Sequence, residues 1–226
     1  MAAEGAKLSL CDVNDGSAVA EAIRVAGGDA IFTTCDVSSA ASVETLIEAT
    51  LQAFGSIQIL VNNAAIATPI RYRPFEQIPS DEWDRVMAVN ARGTFECARL
   101  VVPIMRRQNY GKIINLSSTS VFKGHTGLMH YVASKAAILA MTRVMARELG
   151  SDGICVNCIA PGVTETESML ADTARVTGLA AAPRVRAIQR RAIPQDIVGT
   201  AVFLASAESD FITGQTLAVD GGVVFH

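Results

Sequence analysis

Six short apolar runs, KLSLC, AIFTTC, SIQILVNNA, GKIINLS, GICVNCIA and QTLAVD, are separated by longer amphipathic stretches, and this alternation constrains the fold more than any other feature of the chain. The intervening helical patterns are VAEAIRVAG, SAASVETLIEATLQAFG, SDEWDRVMAVNARGTFECARLVVPIMRRQ, HYVASKAAILAMTRVMARELG and PQDIVGTAVFLASAES. Ser38 with Ser42 to Glu44 predicts a capped helix start, Ser80 precedes an acidic first turn, and Pro194 with Asp196 opens the last helix. Strands apolar on both faces, alternating with helices, predict a doubly wound α/β architecture: a parallel sheet covered on each side. Ligands in such sheets bind beyond the carboxyl ends of the strands, here Asp12, Asp36, Asn62 to Ala65, Ser117 with Ser118, and Pro161 with Gly162.

A chain of 226 residues, half of them apolar, is enough for one domain with a filled core. Its net charge of -3 argues against nucleic acid, and the basic cluster Arg184, Arg186, Arg190 and Arg191 is expected on the polar face of a surface helix. No run approaches the ~20 apolar residues of a membrane span, and no secretion pattern opens the chain, so a cytoplasmic location is expected. Five cysteines, an odd number without framework spacing, fit a reducing compartment. Cys155 and Cys158 form a C-x-x-C inside a strand pattern, which predicts packing rather than a metal site. The least patterned stretch, approximately residues 164–193, is expected to be a substrate loop or lid.

Chemistry concentrates near Tyr131 and Lys135, four apart and therefore on one helix face. A neighbouring ammonium favours the phenolate and brings a tyrosine toward useful acid/base strength. Ser118 ends the GKIINLSS strand, and Asn90 sits inside a long helical pattern where asparagine is a poor helix former. The motifs LVNNAA, VNARGTF, IINLSS, YVASK, NCIAPG and TGQTLAVDGG, with Ser118 thirteen residues before Tyr131, resemble the short-chain dehydrogenase/reductase family in order and spacing. The resemblance runs from residue 1 to the end and implies a Rossmann-like fold.

It also implies a catalytic tetrad of Asn90, Ser118, Tyr131 and Lys135. Tyr131 would exchange a proton with the substrate oxygen, Ser118 would hydrogen-bond that oxygen, Lys135 would lower the tyrosine pKa and hold the nicotinamide ribose, and Asn90 would bend its helix to expose a carbonyl for a water. Cofactor contacts map onto Asp12, Asp36, Val37, Asn63, Ala64, Tyr131, Lys135, Pro161, Gly162, Val163 and Thr166. A carboxylate at Asp12 accepts from ribose hydroxyls and repels a 2′-phosphate, which predicts NAD over NADP; the competing reading of Asp12 is a helix N-cap. His125 and His130 flank the approach to Tyr131, as substrate ligands or as structural donors. Val121, Phe122, Leu128 and Met169 suggest an alcohol or ketone substrate with an apolar body. The implied reaction interconverts a secondary alcohol and a ketone. The runner-up is a 3-oxoacyl thioester reductase, which in the family goes with NADP and a basic patch. A homotetramer is the implied assembly.

Relatives begin with a strand, a glycine-rich turn and a helix start that receives the cofactor pyrophosphate. No two of the 17 glycines in this chain lie two positions apart, so G-x-G is absent, and MAAEGAKLSLCD aligns with the end of the first helix and the second strand. An N-terminally truncated domain is expected, with two unpaired strand edges and weakened NAD binding. Two accounts stand: an enzyme with ~20 to 25 further residues, enough for a strand, turn and helix, or a non-catalytic fragment or oligomer subunit.

Overall fold

A computed structural model of the chain describes residues 1–67, 70–171 and 185–225. All six expected strands form: β1 (Leu8–Asp12), β2 (Ala30–Thr34), β3 (Ile59–Asn62), β4 (Gly111–Leu116), β5 (Ile154–Pro161) and β6 (Thr216–Val219). The helices are α1 (Ser17–Val25), α2 (Ala40–Phe54), α3 (Ser80–Met87), α4 (Gly93–Gln108), α5 (Ser120–Lys123), α6 (Met129–Leu149), α7 (Glu167–Leu170) and α8 (Gln195–Ala205). Every ladder is parallel, in the orders β1-β2 and β3-β4-β5-β6. Parallel neighbours force a helical crossover between strands, which is why the alternation in sequence becomes layers in space.

The strands are less uniformly buried than their apolar runs predict. Only β4 and β5 lie almost wholly in the core, where Ile113, Ile114, Val156, Cys158, Ile159 and Ala160 are buried. β1, β3 and β6 are mostly half-buried, and Val61 of β3 is exposed. No ladder joins β1 to β3, so among the described residues each presents one side without a strand partner. The β1-β2 pair is attached instead through side chains: Cys11, Cys35, Val37, Val43, Leu60 and Cys97 share one apolar cluster, and Thr50 of α2 donates to Ser9 at 2.7 Å. Unladdered edges open more easily than flanked strands. Amide exchange should therefore be at least ~10-fold faster in β1 than in β4; equal protection would show that side-chain packing alone fixes the pair.

Three local expectations change. The 29-residue helical pattern from Ser80 to Gln108 is broken into α3 and α4 by a π-helical turn over Ala88–Arg92, centred on Asn90. Ser39, not Ser38, caps α2, accepting from Ser42 N; Ser38 instead donates to Asp36. Of the arginine cluster, Arg186, Arg190 and Arg191 lie on no surface helix: Arg186 is buried and donates to the carbonyls of Val163 and Arg190, while Arg190 and Arg191 pair with Asp196 and Glu165. Arg184 falls outside the described residues, as do residues 172–184 of the expected lid. Among the described residues no helix is long and apolar enough to cross a membrane.

Candidate active site

The candidate residues lie at or just beyond the carboxyl ends of β1 to β5, on the Ala88–Arg92 turn and in the first turns of α6. Two residues past β4, Ser118 accepts from Ser120 N at 3.2 Å, a contact that fixes its hydroxyl at the start of α5. α6 begins at Met129 and so places Tyr131 in its first turn and Lys135 one turn later. The Tyr131 ring packs against the buried cluster of Ile70, Val86 and Leu128. Lys135 Nζ sits 5.9 Å from the centroid of that ring and donates to Leu116 O at 2.8 Å. Only 4% of Lys135 is exposed, and burial pushes its ammonium down from 10.5 to about 8, against a smaller opposing pull from Cys158. Ser117, next to Ser118, donates to the Lys135 carbonyl at 2.8 Å and ties the strand end to α6.

Asn90 is completely buried, and its side chain works as a clamp. Its Oδ1 accepts from Ile66 N at 2.7 Å, while its Nδ2 donates to Ile66 O at 3.1 Å and to Ser134 Oγ at 3.1 Å. The Asn90 carbonyl accepts from Thr94 Oγ1 at 2.9 Å. The helix widens into a π turn at Asn90, and the side chain links the loop after β3 to α6. Gly93, directly after the wide turn, has no room for a side chain: a Cβ would lie 2.7 Å from Val37 Cγ2, so glycine lets α4 approach the loop after β2.

Asp12 ends β1 with an exposed carboxylate that accepts from Asn14 N at 2.9 Å and Asn14 Nδ2 at 3.1 Å. It is not a helix cap: α1 starts behind Gly16, and the nearby Ser17 N donates to Asp15. Asp36 accepts from Ser38 N and Oγ, which holds its carboxyl below the ordinary range. Asn63 and Ala64 are exposed just beyond β3, and Val37 is buried. Asn62 is turned inward, donating to Asn115 at 2.8 Å; Asn115 in turn donates to Thr142 at 2.9 Å. Pro161 closes β5, Gly162 N donates to Val219 O at 3.0 Å, and Thr166 caps the short α7. A Cβ on Gly162 would fall 2.6 Å from Asp220 Cβ, so the 161–163 turn lies flush against the strand-end loop of β6.

Asp12, Asn63 and Ala64 are therefore exposed at strand ends, Gly162 is half-buried, and Lys135 is buried behind the end of β4. A family model described as enoyl-(acyl carrier protein) reductase matches residues 1–224. The chain belongs to the short-chain dehydrogenase/reductase family. Short-chain reductase protein NovJ of Streptomyces niveus is 39% identical over 229 residues, covering 98% of this chain and 86% of that protein. The 3-oxoacyl-[acyl-carrier-protein] reductase FabG of Staphylococcus aureus is 39% identical over 208 residues, 91% of this chain and 82% of its own length. A gluconate 5-dehydrogenase from Burkholderia cenocepacia, solved in complex with NADP and tartrate, superposes with a TM-score of 0.89 at 33% identity, covering 98% of this chain and 87% of that one. Membership makes the chain an oxidoreductase of a family that uses nicotinamide cofactors.

The two histidines of the rim separate. His125 is half-buried, its Nδ1 hydrogen-bonding with Thr126 O at 2.9 Å and its ring tilted 48° against Tyr72 at 5.7 Å between centroids. His130 is fully buried and hydrogen-bonds through Nε2 to Glu82 Oε1 at 3.0 Å. Sequence reasoning registers Glu82 only as part of an acidic first turn, and Arg73, which pairs with it at 2.8 Å, not at all. Cys155 and Cys158 form no chelate: Cys155 donates to Asp210 O at 3.4 Å, Cys158 is buried, and among the described residues no group of His, Cys, Asp or Glu is arranged to hold a metal.

Proposed function

We propose that the chain is an NAD-dependent oxidoreductase interconverting a secondary alcohol and a ketone, with Tyr131 as general acid/base. The observation that carries this reading is the buried Lys135 ammonium beside the Tyr131 ring, its pKa depressed to about 8, bonded to the end of the strand that Ser118 follows. A positive charge near a phenol favours the phenolate, which suits Tyr131 to pass a proton to and from the substrate oxygen. Ser118 donates to the substrate oxygen and holds it while charge builds. Asn90 acts from behind, keeping the loop after β3 and α6 in register through Ile66 and Ser134.

The strand-end groups fit a dinucleotide: Asp12 offers an exposed carboxylate to ribose hydroxyls, and Asn63 and Ala64 lie exposed just beyond β3. Bound there, the nicotinamide group would supply or accept the hydride. Asp12 favours NAD, because Lys7, the basic residue of that strand segment, is paired with Asp29 at 3.2 Å rather than with Asp12. Replacing Asp12 by Ala should lower the NAD-to-NADP preference by ~10-fold or more through loss of hydrogen bonds to the ribose. Direct titration with both cofactors tests it, and an unchanged ratio would remove Asp12 from cofactor selection. A panel of secondary alcohols and ketones, aromatic carbinols included, tests the reaction; no turnover of any member with either cofactor sinks the assignment.

A second reading, 3-oxoacyl thioester reduction, is supported by the 39% identity to an acyl-carrier-protein reductase. It uses the same Ser118, Tyr131 and Lys135 chemistry and differs in the substrate's tail. The half-exposed Phe95 on α4 and Val144 on α6 favour assembly through these helices, and a homotetramer is the proposed state.

A further inference from the structure

We propose that Glu82 is a positioning residue for the Tyr131 end of the site, clamping the first turn of α6 through His130 and the 70–75 segment through Arg73. Glu82 lies on α3, with Val86 one turn further along the same face. Val86, Ile70 and Leu128 make the apolar seat on which Tyr131 and Val132 pack. One helix face thus provides both the seat beneath the tyrosine and a charged grip on the residue before it.

The grip is specific in its chemistry. His130 Nε2 lies 3.0 Å from Glu82 Oε1, and an ionised carboxylate only accepts, so Nε2 carries the proton. His130 Nδ1 is buried without a hydrogen-bond partner. The Nε2–H tautomer leaves a bare lone pair there, whereas the other tautomer would bury an unpaired N–H and turn a lone pair toward the carboxylate; the first is therefore fixed. Glu82 Oε2 pairs with Arg73 at 2.8 Å, and both side chains are largely shielded, at 27% and 22% exposure, so the pair is less screened than a surface one. Arg73 N donates to Gly127 O at 3.1 Å, and the Tyr72 ring meets His125. The two segments flanking Tyr131 are joined at these points, and Glu82 holds both to α3. Its two oxygens are engaged by His130 and Arg73, so it acts through them and not on substrate.

The functional role of the clamp rests on Tyr131 as the acid/base, and the test separates the two. In Glu82→Ala, kcat/KM should fall ~10-fold or more, with kcat affected as well as KM, because the tyrosine itself is displaced and the damage extends beyond substrate binding. Glu82→Gln can still accept from His130 but presents an amide N–H toward Arg73; it should recover kcat to within ~3-fold while KM stays raised. Since the clamp acts as a unit, Glu82→Ala with His130→Ala should be no worse than the poorer single variant, and multiplied losses would overturn it. Imidazole nitrogen NMR decides the clamp without turnover. Wild type should show His130 as Nε2–H with slow exchange, and Glu82→Ala should lose that protection. An Nδ1–H tautomer in wild type, or an unchanged signal in Glu82→Gln and Glu82→Ala alike, overturns the proposal; His130 behaving as expected in a protein that turns over nothing sinks the Tyr131 reading and leaves the clamp standing.

Discussion

Replacing Tyr131 with Phe is expected to lower kcat by about 10³-fold, the scale of a removed general acid/base. The change deletes one oxygen and keeps the ring that packs against Ile70, Val86 and Leu128, so the apolar seat survives. Stability should shift by no more than about 1.5 kcal/mol, the worth of one hydrogen bond. The two readouts must be taken together: turnover lost with an unaltered thermal transition places the proton on Tyr131, whereas turnover retained within ~10-fold refutes the role. Ser118→Ala provides the calibration, because a substrate-oxygen donor removed without the acid/base should cost about 10²-fold and leave the pH profile in place.

How much of this site was legible before the fold was known follows from which contacts are local. Tyr131 and Lys135 are readable because helical geometry brings positions four apart onto one face, and α6 realises that spacing. Strands are readable because apolar runs bounded by Asp, Asn and Gly have few other uses, although the burial of β1, β3 and β6 depends on what flanks them and cannot be read from their own residues. Asn90 is detectable as a misfit in a helical pattern, but its task is set by Ile66, 24 residues away, and Ser134, 44 away. Glu82 gives no local signal at all: on a helix's first turn it looks like a dipole partner, and its meaning comes from His130, 48 positions later. Arg186 misleads for the opposite reason. A basic run resembles a solvated face, whereas Arg186 is buried because the Val163 carbonyl, across the 161–163 turn, takes its guanidinium.

Lys135→Met should remove activity and raise stability at neutral pH, a pair of opposite effects that follows from one buried charge. The loss of turnover is expected at ~10²-fold or more, since Tyr131 would lose the ammonium that favours its phenolate. The stability effect originates in the depressed pKa, about 8 against 10.5 for the free side chain. Between those values the unfolded chain binds more protons at this position than the folded one, so unfolding free energy increases with pH across the window. The destabilisation is fully present below about pH 8 and is relieved as pH rises toward 10.5. Its size is on the order of 3 kcal/mol at neutral pH, from about 1.4 kcal/mol per pKa unit. Methionine keeps much of the volume of the stem and removes the charge, but it leaves Leu116 O without the donor it has at 2.8 Å, a loss of about 1 kcal/mol or more. The net expectation is a stabilisation of about 1 to 2 kcal/mol at pH 7, shrinking toward zero or reversing near pH 10. Chemical denaturation of both proteins at these two pH values measures it. A Lys135→Met protein less stable than wild type at pH 7 would mean that the lost hydrogen bond to Leu116 O outweighs the relief of the buried charge, and that burying the ammonium costs less than its 4% exposure implies.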